Sequence, residues 1–173
     1  MTSTSFGLAI AYFLPGLAAF YSLSYWSSSV QKMFATFLTA ESNVGLFLLV
    51  LAAALIIGLQ IDLLRWLIFE RLLYSSLRFK AEDFQNLGTD ETKLIAFRAV
   101  ADEHYRYHQF WGGMFISIPL FFFGWCIDSL SAVNSPTRIG AIVAAILLEV
   151  LTGYGAAKGF ELYVQRGKQI LKG

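Results

Sequence analysis

Glu149 stands near the middle of a long apolar run, residues 139–157, in which no other charged residue occurs. A charged side chain at the centre of a bilayer costs about 3 kcal/mol on insertion scales, so this carboxyl must be buried in protein, face water or carry a proton. Along its helical face lie Ala141, Ala145, Thr152, Ala156 and Gly159, and Gly155 with Gly159 makes a G-x-x-x-G pattern on an adjoining face. Strips of small residues let helices approach closely. Two kinds of chemistry fit. Copies of this helix around a shared axis would make a ring of carboxyls that selects cations or gates with protonation. Alternatively, the carboxyl ties two helices together within one subunit.

A second group lies in the stretch 102–111, which holds both histidines of the chain. His104 and His108 are four apart, so one helix face can present both imidazoles to a metal, with a third ligand drawn from a carboxylate elsewhere. The competing reading is an interfacial belt, because Tyr105, Tyr107 and Trp111 have the amphipathic rings that settle at headgroup depth. Asp62 and Arg65, three apart on one helix, are expected to pair near the membrane boundary. Gln60 lies on another face, where it suits an interhelical hydrogen bond.

The elements that carry these residues follow from composition. Of 173 residues, 57% are hydrophobic, 16% aromatic and only 14% charged, which describes a chain whose surface faces lipid. The expected fold is all-α, a polytopic membrane protein with four transmembrane helices at about 6–26, 44–64, 110–127 and 139–157, forming a single domain over 1–173. These spans leave no room for a separate globular enzyme domain. The first run carries Pro15 and Gly16 and the third Pro119, where kinks are expected. No Lys or Arg precedes the first run, so it reads as a retained helix rather than a signal peptide. Residues 27–43 place Val30, Met33, Phe34, Phe37 and Leu38 at helical spacing, which suits an amphipathic segment in the interface or a folded loop. A short turn at 131–138, with Asn134, Ser135 and Pro136, makes the last two spans antiparallel neighbours. The lone Cys126 excludes an intrachain disulfide, and a net charge of +1 gives no basic excess for nucleic acid.

Eleven of the thirteen basic residues fall on one side of the spans, with only Lys32 and Arg138 on the other. The positive-inside rule makes that side cytoplasmic and predicts that both termini lie there. Between spans two and three, a helix is expected to continue from Arg65 to Lys80 on an apolar stripe of Trp66, Phe69, Leu72, Leu73 and Leu77. A turn at Asn86, Leu87 and Gly88 follows. Thr89 or Asp90 then caps a second helix whose Leu94, Ile95, Phe97, Val100 and Ala101 share a face. The result is a cytoplasmic helical hairpin over about 65–109.

Arg98 and His104, separated by five residues, resemble the Arg-to-His signature of HEPN-type ribonucleases, although Ala99 stands where that family usually has a polar residue. The resemblance implies His104 as acid or base and Arg98 as phosphate stabiliser, with two copies facing each other. The stretch from Glu103 to Phe110, E-H-Y-R-Y-H-Q-F, together with Leu14, Pro15 and Gly16, resembles small bacterial multi-span membrane proteins with no assigned activity. That resemblance implies a bacterial inner-membrane setting.

The function these features predict is a homo-oligomeric pore or channel-like assembly. By analogy with bacterial systems that depolarise phage-infected cells, it would serve as a membrane-disrupting effector of anti-phage defence. The alternative is a membrane anchor or scaffold whose hairpin docks a soluble cytoplasmic partner. A metal-dependent or HEPN-like membrane enzyme is a third reading. The expected partners are the lipid bilayer and further copies of the chain, with no cofactor and no direct nucleic acid. A transporter is disfavoured because the spans hold few hydrogen-bonding groups besides Gln60, Ser117, Glu149 and Thr152.

Overall fold

The computed structural model describes residues 3–39, 43–77, 79–84, 90–129 and 135–172, and every regular element among them is helical. Helix α1 (Ser3–Ser22) runs through Pro15 without a break. The proline lies against a partner helix, where the Ser117 hydroxyl donates to its carbonyl at 2.9 Å. A 3-10 turn (Leu23–Tyr25) leads to Ser27, whose hydroxyl accepts from the Val30 N–H and caps α2 (Ser28–Leu38). α2 falls within the stretch 27–43, where an amphipathic segment or a folded loop is expected. It buries Phe34 against Phe20 and Val50, with Val30, Met33 and Phe37 packed around them.

Asn43 caps α3 (Val44–Arg65), its side-chain oxygen accepting from Leu46 N–H at 2.7 Å. The helix continues as a π segment (Trp66–Leu73) and ends at Tyr74. The sequence predicts a continuation to Lys80, but only 3-10 turns follow, at Ser75–Leu77 and Ala81–Phe84. The reason is aromatic packing: Phe79 and Phe84 turn back onto Phe97, and Phe79 onto Tyr163, at centroid separations of 5.3–5.8 Å. Asp90 caps α4 (Glu91–Val100) by accepting from Thr92 and Lys93 N–H. On α4, Ile95 departs from its expected face and stays exposed. A second π segment (Ala101–Tyr105) joins α4 to α5 (Arg106–Ser129), and α6 (Ser135–Lys172) closes the chain.

Among the described residues, three continuous helices, Val44–Leu73, Glu91–Ile127 and Pro136–Lys172, are long and apolar enough to cross a membrane, while Ile10–Tyr25 is a shorter apolar helix. Helix α1 lies between α3 and α5, and α6 packs on α5. The α1–α3 contact is backbone to backbone: a methyl at Gly16 would overlap the Ala54 carbonyl, and one at Gly58 the Tyr12 carbonyl. The outer face of α6 is bare, with Ile146, Leu147, Val150 and Leu151 all exposed. Lipid is the solvent that such a continuous apolar face suits. Arg78, Asn86, Leu87, Gly88, Thr89 and Asn134 lie outside the described residues.

Candidate functional site

The most deeply buried charge is Arg65, whose side chain is 1% exposed at the end of α3. Its Nε donates to Asp62 Oδ1 at 2.7 Å and its Nη1 to Glu70 Oε1 at 2.8 Å. Asp62 follows α-helical spacing. Glu70, five residues on, reaches the same guanidinium because the intervening backbone is π-helical, the register in which residues five apart come together. The aliphatic part of Arg65 lies against Gly112 of α5, where a Cβ would stand 2.7 Å from its Cγ.

Three elements converge on Glu70. The Tyr105 hydroxyl donates to Glu70 Oε1 at 3.0 Å, and the Arg65 guanidinium lies over the Tyr105 ring at 5.5 Å. His108, fully buried, brings Nε2 to 3.7 Å from Glu70 Oε1, beyond hydrogen-bond distance. Its Nδ1 lies 2.8 Å from the Ala156 carbonyl of α6. A carbonyl only accepts, so Nδ1 carries the proton and Nε2 is the atom left facing Glu70. The approach needs Gly159, where a Cβ would stand 3.0 Å from the His108 backbone nitrogen. Beneath this centre Phe160 packs on His108 and Tyr74, and Tyr163 packs on Tyr105. The Tyr74 phenol is held above its ordinary pKa by burial and, secondly, by the charge of Glu161.

The histidines pack between helices instead of lining the surface. Both are buried on the inner face of α5 and its π extension, while Tyr107 is exposed on the opposite side and Trp111 packs on Gly155. Arg98 is exposed on α4, whereas His104 is enclosed, its Nε2 3.8 Å from Glu103. Among the described residues no group of three His, Cys, Asp or Glu side chains is placed to hold a metal.

Gln60 is exposed on α3 rather than sealed between helices. Glu149 is half-buried on α6, and its Oε2 has no hydrogen-bond partner among the described residues. Its strip faces α5 within the same chain. Thr152 is buried and donates to the Leu148 carbonyl, Gly155 meets Trp111, Ala156 holds His108, and Ala145 lines a cavity between α1, α5 and α6. Glu70 is the member of the centre that sequence spacing does not reveal.

No protein-family model, curated protein or solved structure matches the chain.

Proposed function

We propose that the chain is a four-span membrane scaffold of the bacterial inner membrane, in which the spans hold a cytoplasmic helical segment in fixed register for a soluble partner. On this reading α1, α3, α5 and α6 cross the bilayer, and both termini lie with the basic side in the cytoplasm. The observation that carries it is the centre in which buried Arg65 and His108 meet the half-buried Asp62, Glu70 and Tyr105. That centre clamps the polar ends of α3 and α5 to each other and, through Ala156, to α6. A buried ionic network fixes geometry more than it adds stability, which suits a protein whose task is presentation. Leu72, Leu73 and Ile95, at 67%, 61% and 60% exposure, give the presented surface apolar anchors.

The second reading is the homo-oligomeric pore, serving as a membrane-disrupting defence effector. It is favoured by the unpartnered Glu149 oxygen and by the bare outer face of α6, which copies of the chain would cover. Photo-crosslinking in cells separates the two, with benzoyl-phenylalanine at Leu72 or Ile95 on one side and at Ile146 or Leu151 on the other. A discrete adduct with a soluble protein from the first pair, beside no self-adduct from the second, is the scaffold result. Self-adducts from α6, with ion flux through liposomes that Glu149→Gln alters, would replace it with the pore.

A further inference from the structure

Helix α6 is held along one half and bare along the other. From Thr152 onward a buried residue recurs every three or four positions, at Ala156, Phe160, Val164, Gly167 and Leu171. His108 fastens this half through the Ala156 carbonyl, 2.8 Å from its Nδ1. From Pro136 to Leu151 no residue is buried. The two halves meet where aromatic rings of α5 lie directly on the backbone of α6: a Cβ on Gly155 would stand 2.8 Å from the Trp111 ring, and one on Gly153 3.0 Å from that of Phe115. A ring against a glycine is a contact over which a helix tilts without unlocking interdigitated side chains.

The helix is weakened at the same place. The Thr152 hydroxyl has one proton and shares it between the Leu148 and Glu149 carbonyls, at 2.9 and 3.0 Å. Back-bonding of this kind competes with the helix's own ladder and favours a bend. Gly153 and Gly155 follow, the residue type least able to stiffen a helix apart from proline.

Beside the bare half lies a cavity of about 920 Å³, with Ala141, Ala144 and Ala145 of α6 on one wall and Leu14, Leu17 and Ala18 of α1 on another. Small side chains permit close approach of two helices, as Gly16 and Gly58 do between α1 and α3. Ser135 is seventeen residues from Thr152, about 25 Å at the helical rise, so a bend of about 20° at Thr152 carries that end through about 9 Å. Lipid tails are as apolar as the faces involved, so closing exchanges one set of apolar contacts for another and the two positions lie close in free energy.

From this we infer that the N-terminal half of α6, residues 135–151, is a gate that swings about Thr152 between the open position of this structure and a closed one in which its alanine face lies on α1. The cavity opens and closes while the polar end of the bundle stays clamped. The near balance of the two positions rests on the membrane placement proposed above, but the motion goes beyond the scaffold and pore readings and depends on neither.

The test is pulsed electron paramagnetic resonance on the full chain in lipid nanodiscs, in a Cys126→Ser background that removes the native thiol. Spin labels at Leu23→Cys and Ile139→Cys span the cavity end of α1 and α6, and labels at Leu73→Cys and Gln165→Cys span the clamped end. Two distances about 9 Å apart are expected across the first pair and one across the second. Ala18→Trp fills the cavity and should leave only the longer distance. Ala144→Phe, on the other wall, serves if Ala18→Trp does not fold. Thr152→Val removes the back-bonding hydroxyl and should lower the short-distance population several-fold. A single distance across the first pair overturns the gate, as do two distances across the second pair or a short distance that persists when the cavity is filled. A population unchanged by Thr152→Val overturns the pivot. Carbonate extraction of cell membranes is run alongside: a chain that washes out loses both the membrane placement and the gate, whereas one that stays in the membrane and shows a single distance loses only the gate.

Discussion

Replacing Glu70 with alanine removes the group on which Arg65 of α3, Tyr105 of the second π segment and His108 of α5 converge. Arg65 would keep Asp62 as an ionic partner, but its Nη1 would be left without the carboxylate now 2.8 Å away, in a side chain that is 1% exposed. Removing one partner of a buried ion pair costs about 3–5 kcal/mol, and because Asp62 remains and Glu70 is itself 13% exposed the lower end applies, about 3 kcal/mol. Glu70→Gln keeps an oxygen for the Tyr105 hydroxyl and for Arg65 while deleting the charge. Charge-assisted hydrogen bonds are roughly twice as strong as neutral ones, so Gln should cost about half as much as Ala.

The assay is equilibrium unfolding in mixed micelles on an SDS gradient, followed by the fluorescence of the four tryptophans. Arg65→Met alone should also cost about 3 kcal/mol, since it strands Glu70 and Asp62 together. Combined with Glu70→Leu it removes the positive and the negative charge at once, and the pair should be less harmful than the sum of the singles by about 2 kcal/mol. Additivity within about 0.5 kcal/mol, or a Glu70→Ala protein as stable as the wild type, would refute the claim that this centre holds the helices in register.

Gly58→Leu drives a side chain into the Tyr12 carbonyl and should abolish the monodisperse species on size-exclusion chromatography, while Gly140→Leu, where nothing lies within 4 Å, should leave it unchanged. Gly159→Val pushes α6 off the His108 backbone; a loss of about 2 kcal/mol is expected on the same SDS gradient. Phe97→Ala removes a ring that touches Phe79, Phe84 and Tyr163, so limited proteolysis should cut the segment between α3 and α4 several-fold faster while the spans stay intact. Glu149→Gln should leave liposome ion flux at the level of protein-free vesicles at every pH tested, and flux that differs between wild type and variant would favour the pore.

Much of the architecture is legible in composition and periodicity because apolar runs of sufficient length have few alternatives to helix. Capping by Asp90 is legible for the same local reason, since an acceptor side chain just before a helical pattern satisfies the first N–H groups. Glu70 is not legible. Pattern reading assumes the α register, in which residues five apart point to different faces, and the π segment over Trp66–Leu73 breaks that assumption at the position where it matters. The burial of the histidines is not legible either: aromatic neighbours at 105, 107 and 111 draw attention to the helix surface, whereas a second π segment at Ala101–Tyr105 precedes the turn of α5 that buries His108 under α6.

The contrast between Glu149 and Arg65 shows what ranking by depth overlooks. Glu149 draws attention because it stands alone in an apolar run, and in the folded chain one of its oxygens still has no partner among the described residues. Arg65 attracts less notice, near a run's end beside an obvious partner, yet it is the more buried of the two and is contacted by groups from two separate elements. Its charge can be buried because Asp62 and Glu70 are held within 2.8 Å by their own helix, so two carboxylates offset its desolvation. A cation fixed in this way has little freedom to follow an ion. It is suited to holding helices in place, and the centre around Arg65 therefore supports the scaffold over the pore.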